Sequence, residues 1–265
     1  MTDDDREYLA VAERAAVAAG AILLDACGKV EAREKGPGDL VTDADSASQR
    51  AIAAILLGAF PEHTLLAEED GVTPDPDIPW RWVVDPLDGT INFAHGFPLW
   101  CVSIALEHRG QLVAGVIHVP PTGATYSASA GRGATLNGRA LRVGGSRTLR
   151  TSLIATGMPT DFAGDADRQL AYYGRFSTGT HSVRRTGSSA WNLAIVAAGG
   201  CDAFYATSLH PWDAAAGVLL VREAGGMVTG LAGEPYDLYG KGLLATNGHI
   251  HAEAVLGLAD AWPRR

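Results

Sequence analysis

The hydrophobic residues of this chain recur at two different spacings, one typical of helices and one typical of strands. Residues 5–27 are Ala-rich and apolar at helical spacing, and residues 42–57 repeat that pattern behind Thr42, a residue type that caps helices. Two apolar runs between positions 100 and 119 meet at Arg109-Gly110, which favours a β-hairpin. Helices and strands that alternate along a chain predict an α/β or α+β protein.

Shorter apolar segments extend this pattern. The remaining predicted strands lie at 64–70, 81–85, 125–130, 151–157, 202–206 and 242–246, and the remaining predicted helices at 188–199, 213–224 and 248–259. The helices at 188–199 and 213–224 are apolar on every side, which predicts that both are buried. Gly36-Pro37-Gly38 predicts a turn or mobile loop, and the Pro- and Asp-rich residues 73–79 predict another loop.

The character of the chain changes near residue 145. Long antiparallel strands precede this point, and alternating strands and helices follow it. We therefore expect an N-terminal α+β part, 1–145, and a C-terminal α/β part, 146–265, within one compact catalytic unit.

The composition narrows the class of protein. The 265 residues are 47% hydrophobic and 19% charged, which is enough for a sizeable core, and the formal net charge is −9. An acidic chain disfavours a nucleic-acid backbone or a membrane surface as the main partner. Anionic substrates are still compatible with it where bound metal cations reverse the local field.

The cysteines and the first residues of the chain bear on where in the cell the protein is expected. Cys27, Cys101 and Cys201 are odd in number and far apart, so neither a zinc knuckle nor a disulfide framework is indicated. The opening residues, MTDDDREYLA, lack the basic and apolar regions of a signal peptide. No apolar window reaches the length of a membrane span. We expect a cytoplasmic protein.

Carboxylates lie at the edges of apolar segments at four places. They are Asp39, Asp45, Glu68, Glu69, Asp85, Asp88 and Asp213. Singly, an acid early in a helix favours the helix dipole, an acid in a loop is solvated, and Asp-Pro is common in turns. Together they indicate a site, because acids that follow buried strands gather at one end of a sheet.

Converging carboxylates need a partner. Two like charges 4 Å apart repel by about 4 kcal/mol at an effective dielectric near 20, so such a cluster requires cations or protons. Because the ligands on offer are oxygens, with no His or Cys nearby in sequence, hard cations such as Mg²⁺ are expected.

The segment DPLDGT adds a phosphate site to this cation site. Its proline bends the chain, so that Asp85, Asp88 and the carbonyl of Leu87 face a common point. Gly89 and Thr90 then begin a short helix, and free N–H groups at a helix start bind phosphate. Metals beside a phosphate cradle are typical of metal-assisted phosphoryl hydrolysis. No covalent nucleophile with an adjacent base is evident, so we expect water to attack directly.

Two long motifs resemble the paired signatures of the inositol monophosphatase family, the Mg²⁺-dependent, lithium-sensitive sugar phosphatases. They are DPLDGTINF at 85–93 and WDAAAGVLLVREAGG at 212–226. Supporting motifs follow in the family's order: Lys35, DLVTDAD at 39–45, AEED at 67–70, RRTGSSAWNLAIVAAGGCDAFY at 184–205 and LLATNGHIHAEAV at 243–255. The likeness covers nearly the whole chain, and it implies a layered αβαβα sandwich that forms a homodimer.

The resemblance implies a ligand set for two or three Mg²⁺ ions. Glu68, Asp85 and the Leu87 carbonyl would hold the first ion. Asp85, Asp88 and Asp213 would hold the second, and Glu68 would help a third through waters. All of these residues except Asp213 lie in the N-terminal part.

The resemblance also implies catalytic residues. Thr90 and Asp45 would activate the attacking water, with Glu68 assisting. Lys35 and the Gly-Pro-Gly loop would form a mobile flap over the site.

The implied substrate is a small phosphorylated polyol resembling inositol 1-phosphate. Its phosphate would bind to the amides of Gly89 and Thr90. The rest of the molecule would contact Gly187 and Ser188, at another helix start, and Asp213.

One position departs from the family pattern. Members that favour myo-inositol phosphate usually carry a Glu seven residues before the Asp of the second motif, and Ala206 occupies that position here. An unpaired sugar hydroxyl weakens binding by about 1–3 kcal/mol. Histidinol phosphate, fructose 1,6-bisphosphate, glycerol phosphate or a nucleotide 3′-phosphate are therefore alternative substrates.

A protein of another class is the second hypothesis: a binding or regulatory member of the fold without turnover. Some proteins with this resemblance act with RNA or the transcription machinery. A degenerate member is expected to lose a metal ligand, and all five ligand positions are intact. Arg184 and Arg185 either meet a second anion of the substrate or are surface charges beside a strand.

Overall fold

Helices and strands alternate along the chain in the computed structural model, which describes residues 3–29, 33–36, 39–70, 79–159 and 162–262. In these ranges the helices are α1 (Asp3–Ala26), α2 (Asp43–Ala59), α3 (Thr90–Ala94), α4 (Ala166–Gly179), α5 (Ser189–Ala197), α6 (Pro211–Glu223) and α7 (His251–Ala261). The strands are β1 (Arg33–Gly36), β2 (Asp39–Val41), β3 (Thr64–Ala67), β4 (Trp80–Asp88), β5 (Cys101–His108), β6 (Gln111–Val119), β7 (Ala124–Ser129), β8 (Ala134–Leu136), β9 (Arg139–Ala140), β10 (Leu153–Gly157), β11 (Ser182–Arg184), β12 (Ala203–Ala206), β13 (Met227–Thr229) and β14 (Leu243–Thr246).

Two large sheets organise the described residues. The first has seven strands in the order β3-β4-β5-β6-β7-β8-β9, with β3 and β4 parallel and the other neighbours antiparallel. The second has five strands in the order β11-β10-β12-β14-β13, in which β10 lies parallel to β11 and to β12. Since parallel neighbours run the same way, the chain segments that leave β3 and β4 emerge at the same edge.

The helices cover both sheets in layers. α1 and α2 bury their apolar residues on the outer face of the seven-stranded sheet. α5 and α6 fill the space between the sheets, and α4 and α7 cover the outer face of the five-stranded sheet. The layer order is therefore α-β-α-β-α, which confirms the predicted sandwich.

The position of α5 and α6 between the two sheets explains why their sequences are apolar. Every residue of α6 from Ala214 to Val221 is buried, because a sheet lies on either side of the helix. Gly217 allows α5 and α6 to touch, since a Cβ atom there would lie 2.3 Å from the Cβ atom of Leu193. No helix in the described ranges combines the length and apolar character needed to cross a bilayer.

Several elements differ from the sequence prediction. The elements α4, β8, β9, β11 and β13 were not predicted. The buried residues of α4, which are Gln169, Tyr172 and Phe176, nevertheless have helical spacing. Its polar residues and two glycines hid that pattern. The predicted loop around residues 33–40 contains a short antiparallel hairpin, β1 and β2. The Pro37-Gly38 tip lies outside the described residues, as does most of the predicted loop at 73–79.

Candidate active site

The end of β4 presents two buried carboxylates, and a bulge sets their direction. The strand continues through the DPLD segment to Asp88, three residues beyond the predicted end. Its pairing with β5 shifts register between Asp85 and Asp88, where Pro86 has no N–H to donate. Ser48 of α2 fixes this bend by donating to the Pro86 carbonyl at 2.8 Å, and the Leu87 amide donates to Asp85 Oδ1 at 2.9 Å. Asp85 and Asp88 are thereby buried at the edge of the sheet.

A third carboxylate comes from the far end of the sequence. Asp213 lies in the first turn of α6, where the His210 amide donates to its Oδ2 at 2.7 Å. One carboxylate oxygen from each of Asp85, Asp88 and Asp213 lies within 4.8 Å of the others. The three acids predicted to hold the second metal ion are therefore neighbours in space.

Glu68 approaches the same cluster from the next strand. Ala67, the last residue of β3, is the parallel partner of Val84, so Glu68 follows beside Asp85. Burial raises the pKa of Asp85 well above its usual range, and the neighbouring charges of Glu68, Asp88 and Asp213 raise it further. These carboxylates disfavour one another's charge.

The donor set fits hard divalent cations. Every side-chain ligand in the cluster is a carboxylate oxygen, the type that Mg²⁺ prefers. A cation among these groups would remove the repulsion that raises the pKa of Asp85.

Asp88 is held by the first turn of α5. Ser188 Oγ donates to Asp88 Oδ2 at 2.6 Å, and the amides of Ser189 and Ala190 donate to the same carboxylate at 3.2 and 2.7 Å. These three hydrogen bonds oppose the rise that burial causes in the pKa of Asp88. Ser188 was expected to contact substrate, and that contact stays a prediction. In the structure its hydroxyl orients Asp88, a predicted metal ligand. No sequence spacing indicated this contact.

Thr90 and Asp45 also meet, and the two carboxylate oxygens of Asp45 have different partners. Thr90 Oγ1 lies 3.3 Å from Asp45 Oδ1 and 3.0 Å from the Leu87 carbonyl oxygen. Asp45 Oδ2 accepts from the amide and the hydroxyl of Thr42 at 2.8 and 2.6 Å, which completes the capping box of α2. Oδ2 therefore caps the helix, and the predicted catalytic role of Asp45 concerns Oδ1.

A pocket of about 600 Å³ opens beside these groups. Its lining includes six of the predicted site residues: Asp88, Gly89, Thr90, Gly187, Ser188 and Asp213. Gly89 begins α3 with a φ of 99°, and a Cβ atom there would lie 2.9 Å from the Leu99 carbonyl oxygen. α3 has no side-chain cap, so its first amides are not bonded to a capping side chain.

The remaining predicted residues lie at varying depths. Ala206 is buried in β12 as the strand partner of Gly157, which lines the pocket. Arg185 lines the pocket, whereas Arg184 is not among its lining residues. Lys35 belongs to β1, but its side chain lies outside the described part of the structure, and its catalytic role stays a prediction.

Known proteins are similar to this chain in sequence and in fold. The profile of the inositol monophosphatase family matches residues 4–262. The inositol-1-monophosphatase of Synechocystis sp. is 41% identical over 258 residues, which are 97% of this chain and 90% of that protein. The solved structure of inositol monophosphatase from Anabaena (Nostoc) sp. is similar with a TM-score of 0.89 and 38% identity, and the match covers 96% of each chain.

A relative with a different name is also similar over its full length. The Nus factor SuhB of Salmonella typhimurium is 37% identical over 255 residues, which are 95% of this chain and 96% of that protein. Because the family profile spans nearly the whole chain, and because named inositol monophosphatases share its length and fold, this chain belongs to the inositol monophosphatase family and is a phosphoric monoester hydrolase.

Proposed function

We propose that the enzyme hydrolyses a small phosphorylated polyol resembling inositol 1-phosphate, with Mg²⁺ as cofactor and water as the attacking group. The observation that carries this proposal is the convergence of Asp85, Asp88 and Asp213 within 4.8 Å, next to a pocket that Gly89 and Thr90 also line. The name of the Synechocystis relative, inositol-1-monophosphatase, supports the substrate class.

The proposed Mg²⁺ ligands surround the end of β4. They are Glu68, Asp85, the Leu87 carbonyl, Asp88 and Asp213. Two or three bound ions would attract the phosphate group and lower the pKa of a water molecule. Thr90 Oγ1 lies 3.0 Å from the Leu87 carbonyl oxygen and 3.3 Å from Asp45 Oδ1, and its single proton bonds one of them at a time. When that proton goes to Asp45, the Leu87 carbonyl is able to serve as a ligand.

Thr90 and Asp45 are proposed to orient the attacking water. Asp45 Oδ2 is occupied by Thr42, so Oδ1 is the oxygen that can accept the proton of the Thr90 hydroxyl. A hydroxyl that donates in this direction keeps lone pairs for a proton from water. Thr90 would therefore turn a water lone pair towards the phosphorus atom, with Glu68 assisting.

The phosphate is proposed to bind at the start of α3. The amides of Gly89 and Thr90 supply donors there, in a turn that only glycine fits at position 89. Gly187 and Ser188 line the same pocket and are proposed to contact the rest of the substrate, with Asp213.

Phosphate release from a panel of phosphomonoesters, with and without Mg²⁺, tests the proposal. The panel contains inositol 1-phosphate, histidinol phosphate, fructose 1,6-bisphosphate, glycerol phosphate and a nucleotide 3′-phosphate. Loss of a residue that supports a metal ligand lowers activity by up to about 100-fold. Asp213 is itself a proposed ligand, so we expect Asp213→Asn to lower kcat/KM by more than that. Asp260→Asn, an exposed acid of α7, is the matched control and should keep the wild-type rate. Full activity without Mg²⁺, or in Asp213→Asn, would contradict the assignment.

The relative named Nus factor SuhB favours a second candidate, a regulatory protein of this fold. Release of no phosphate from any member of the panel would support that candidate. The acidic net charge, −9, argues against nucleic acid as a direct partner. We further propose that the protein is a cytoplasmic homodimer. Light scattering of the purified chain measures its molar mass and so tests the dimer.

A further inference from the structure

Arg185 is the permanently charged cation among the described residues that line the pocket. The described residues that line this pocket include one arginine and no lysine, and the acids among them, Asp88 and Asp213, belong to the proposed metal site. Once metal ions balance those acids and the substrate phosphate, the guanidinium of Arg185 has no counter-charge in the lining. An ion pair to Arg185 is likewise absent from the described residues.

The backbone next to Arg185 is fixed to the proposed phosphate site. Asn92 of α3 donates through Nδ2 to the Thr186 carbonyl at 2.8 Å, and the Thr186 hydroxyl donates to Asn192 at 2.8 Å. Gly187 packs against Asn92, since a Cβ atom there would lie 2.9 Å from Nδ2. Because Asn92 belongs to α3, which begins at Gly89 and Thr90, these contacts hold the backbone next to Arg185 in a fixed position relative to the Gly89 and Thr90 amides.

Arg184 provides an internal comparison. It is the last residue of β11, and its Nη1 donates to Ser182 Oγ at 2.6 Å and to the Val183 carbonyl at 3.2 Å. It does not line the pocket. The two adjacent arginines are therefore equal in charge and different in position.

The rest of the pocket wall offers weaker recognition. Away from the metal site, its polar side chains include the neutral groups of Thr156, Asn192 and Ser208. Ala206, the β12 partner of Gly157, has a methyl side chain that cannot form a hydrogen bond to the substrate. A guanidinium binds a carboxylate or a phosphate in a bidentate manner, more strongly than neutral groups bind a hydroxyl.

We propose that Arg185 forms a second anion subsite, so that the enzyme prefers phosphomonoesters that carry a further carboxylate or phosphate over those that do not. This inference rests on the phosphatase function proposed above and specifies its substrate class. The scissile phosphate binds at α3, and the second anion binds at the Arg185 guanidinium.

Two matched substrate pairs test the inference and separate its two anion types. Fructose 1,6-bisphosphate is compared with fructose 1-phosphate, and 3-phosphoglycerate with glycerol 3-phosphate, for the wild type, Arg185→Gln and Arg184→Gln. The loss of one charge-assisted contact is expected to lower kcat/KM by about 10- to 100-fold. We expect Arg185→Gln to show this loss for the member of at least one pair that carries the second anionic group, with the other member unchanged within about twofold. Arg184→Gln should match the wild type throughout.

The outcomes are distinct. A preference for the substrate with a second anionic group that disappears in Arg185→Gln and persists in Arg184→Gln supports the subsite, and the pair that shows it identifies the anion. A wild type that hydrolyses both members of each pair equally, or an Arg185→Gln enzyme that loses all activities alike, overturns the subsite and leaves the phosphatase intact. A wild type that releases phosphate from inositol 1-phosphate but from none of these four substrates overturns the subsite alone. A wild type that releases none from inositol 1-phosphate either overturns the proposed function as well.

Discussion

Buried charged residues lie at both ends of strand β4. At its start they form an ion pair within the protein, whereas at its end they are all acidic. At the start of β4, Arg81 faces Glu107 across the strand pair, with 3.5 Å between Nη1 and Oε2. Tyr239 bridges them, accepting from Arg81 at 2.7 Å and donating to Glu107 at 2.5 Å. At the end of β4, Asp85 and Asp88 meet a further acid, Asp213.

The difference separates a structural use of buried charge from a functional one. The Arg81–Glu107 pair is neutral and bonded within the protein, so folding alone accounts for it. The acidic end has a like-charge cluster, and burial with neighbouring carboxylates raises the pKa of Asp85. Folding does not favour such a cluster, so its geometry indicates a partner that carries positive charge.

Removing one negative charge from the acidic end of β4 should cause the largest loss of activity and should increase the stability of the metal-free protein. We expect Asp85→Asn to lower kcat/KM by more than about 100-fold, because a proposed metal ligand is lost. Without Mg²⁺, the same change should raise the free energy of unfolding, because one of several repelling buried charges is removed. Urea unfolding in EDTA, with the rate measured in Mg²⁺, gives both values.

Asparagine keeps an oxygen that can accept from the Leu87 amide, so the local turn should survive. A metal-free Asp85→Asn protein that unfolds more readily than the wild type would show that the acidic cluster stabilises the fold by itself.

Breaking the balanced end should have the reverse profile. Glu107→Leu leaves the buried Arg81 without its carboxylate, and we expect the free energy of unfolding to fall by about 3–5 kcal/mol. The kcat of the remaining folded enzyme should stay near that of the wild type, because this end of β4 is remote from the pocket lining. Thermal unfolding followed by circular dichroism measures the loss.

The double variant Arg81→Met with Glu107→Leu is the control, and it should recover much of that stability because no unpaired charge remains. Equal losses in the single and double variants would contradict the ion-pair explanation.

The smallest effect concerns pH at the balanced end. His63 stacks between Phe60 and Trp80, with ring centroids 4.9 and 5.2 Å away, and burial lowers its pKa below 6.5. The unfolded chain therefore binds a proton at a higher pH than the folded chain does. The contribution of His63 to the free energy of unfolding should be constant above about pH 6.5 and should fall as the pH decreases towards the pKa of the folded state.

His63→Phe keeps an aromatic ring in the stack and removes the titrating group. We expect its free energy of unfolding to fall less between pH 7 and pH 5 than that of the wild type, as measured by urea titration at each pH. Burial lowers the pKa of His118 and of His251 as well, so part of the slope should persist. An unchanged slope in His63→Phe would exclude His63 as a contributor.

Local sequence patterns predicted most of the fold. The apolar periodicity located α1, α2, α5, α6 and the β5–β6 hairpin, because each buries a regular stripe or a continuous apolar run. It missed α4, where the buried Gln169 and the glycines weaken the helical pattern. It also placed the end of β4 at Asp85, since Pro86 is usually a strand breaker and the bulge that accommodates it is set by pairing with β5.

The sequence also predicted which acids meet at the end of β4. Carboxylates beside apolar runs and a Gly-Thr helix start are local features, and the family resemblance joined them into one predicted ligand set. The support for those acids was not readable. Asp88 is bonded to the first turn of α5, and Asp45 divides its two oxygens between Thr42 and Thr90, only because α2 and α5 pack on opposite sides of β4. Such contacts join residues that are far apart along the chain, so their geometry depends on how the sheets and helices pack and not on any spacing in the sequence.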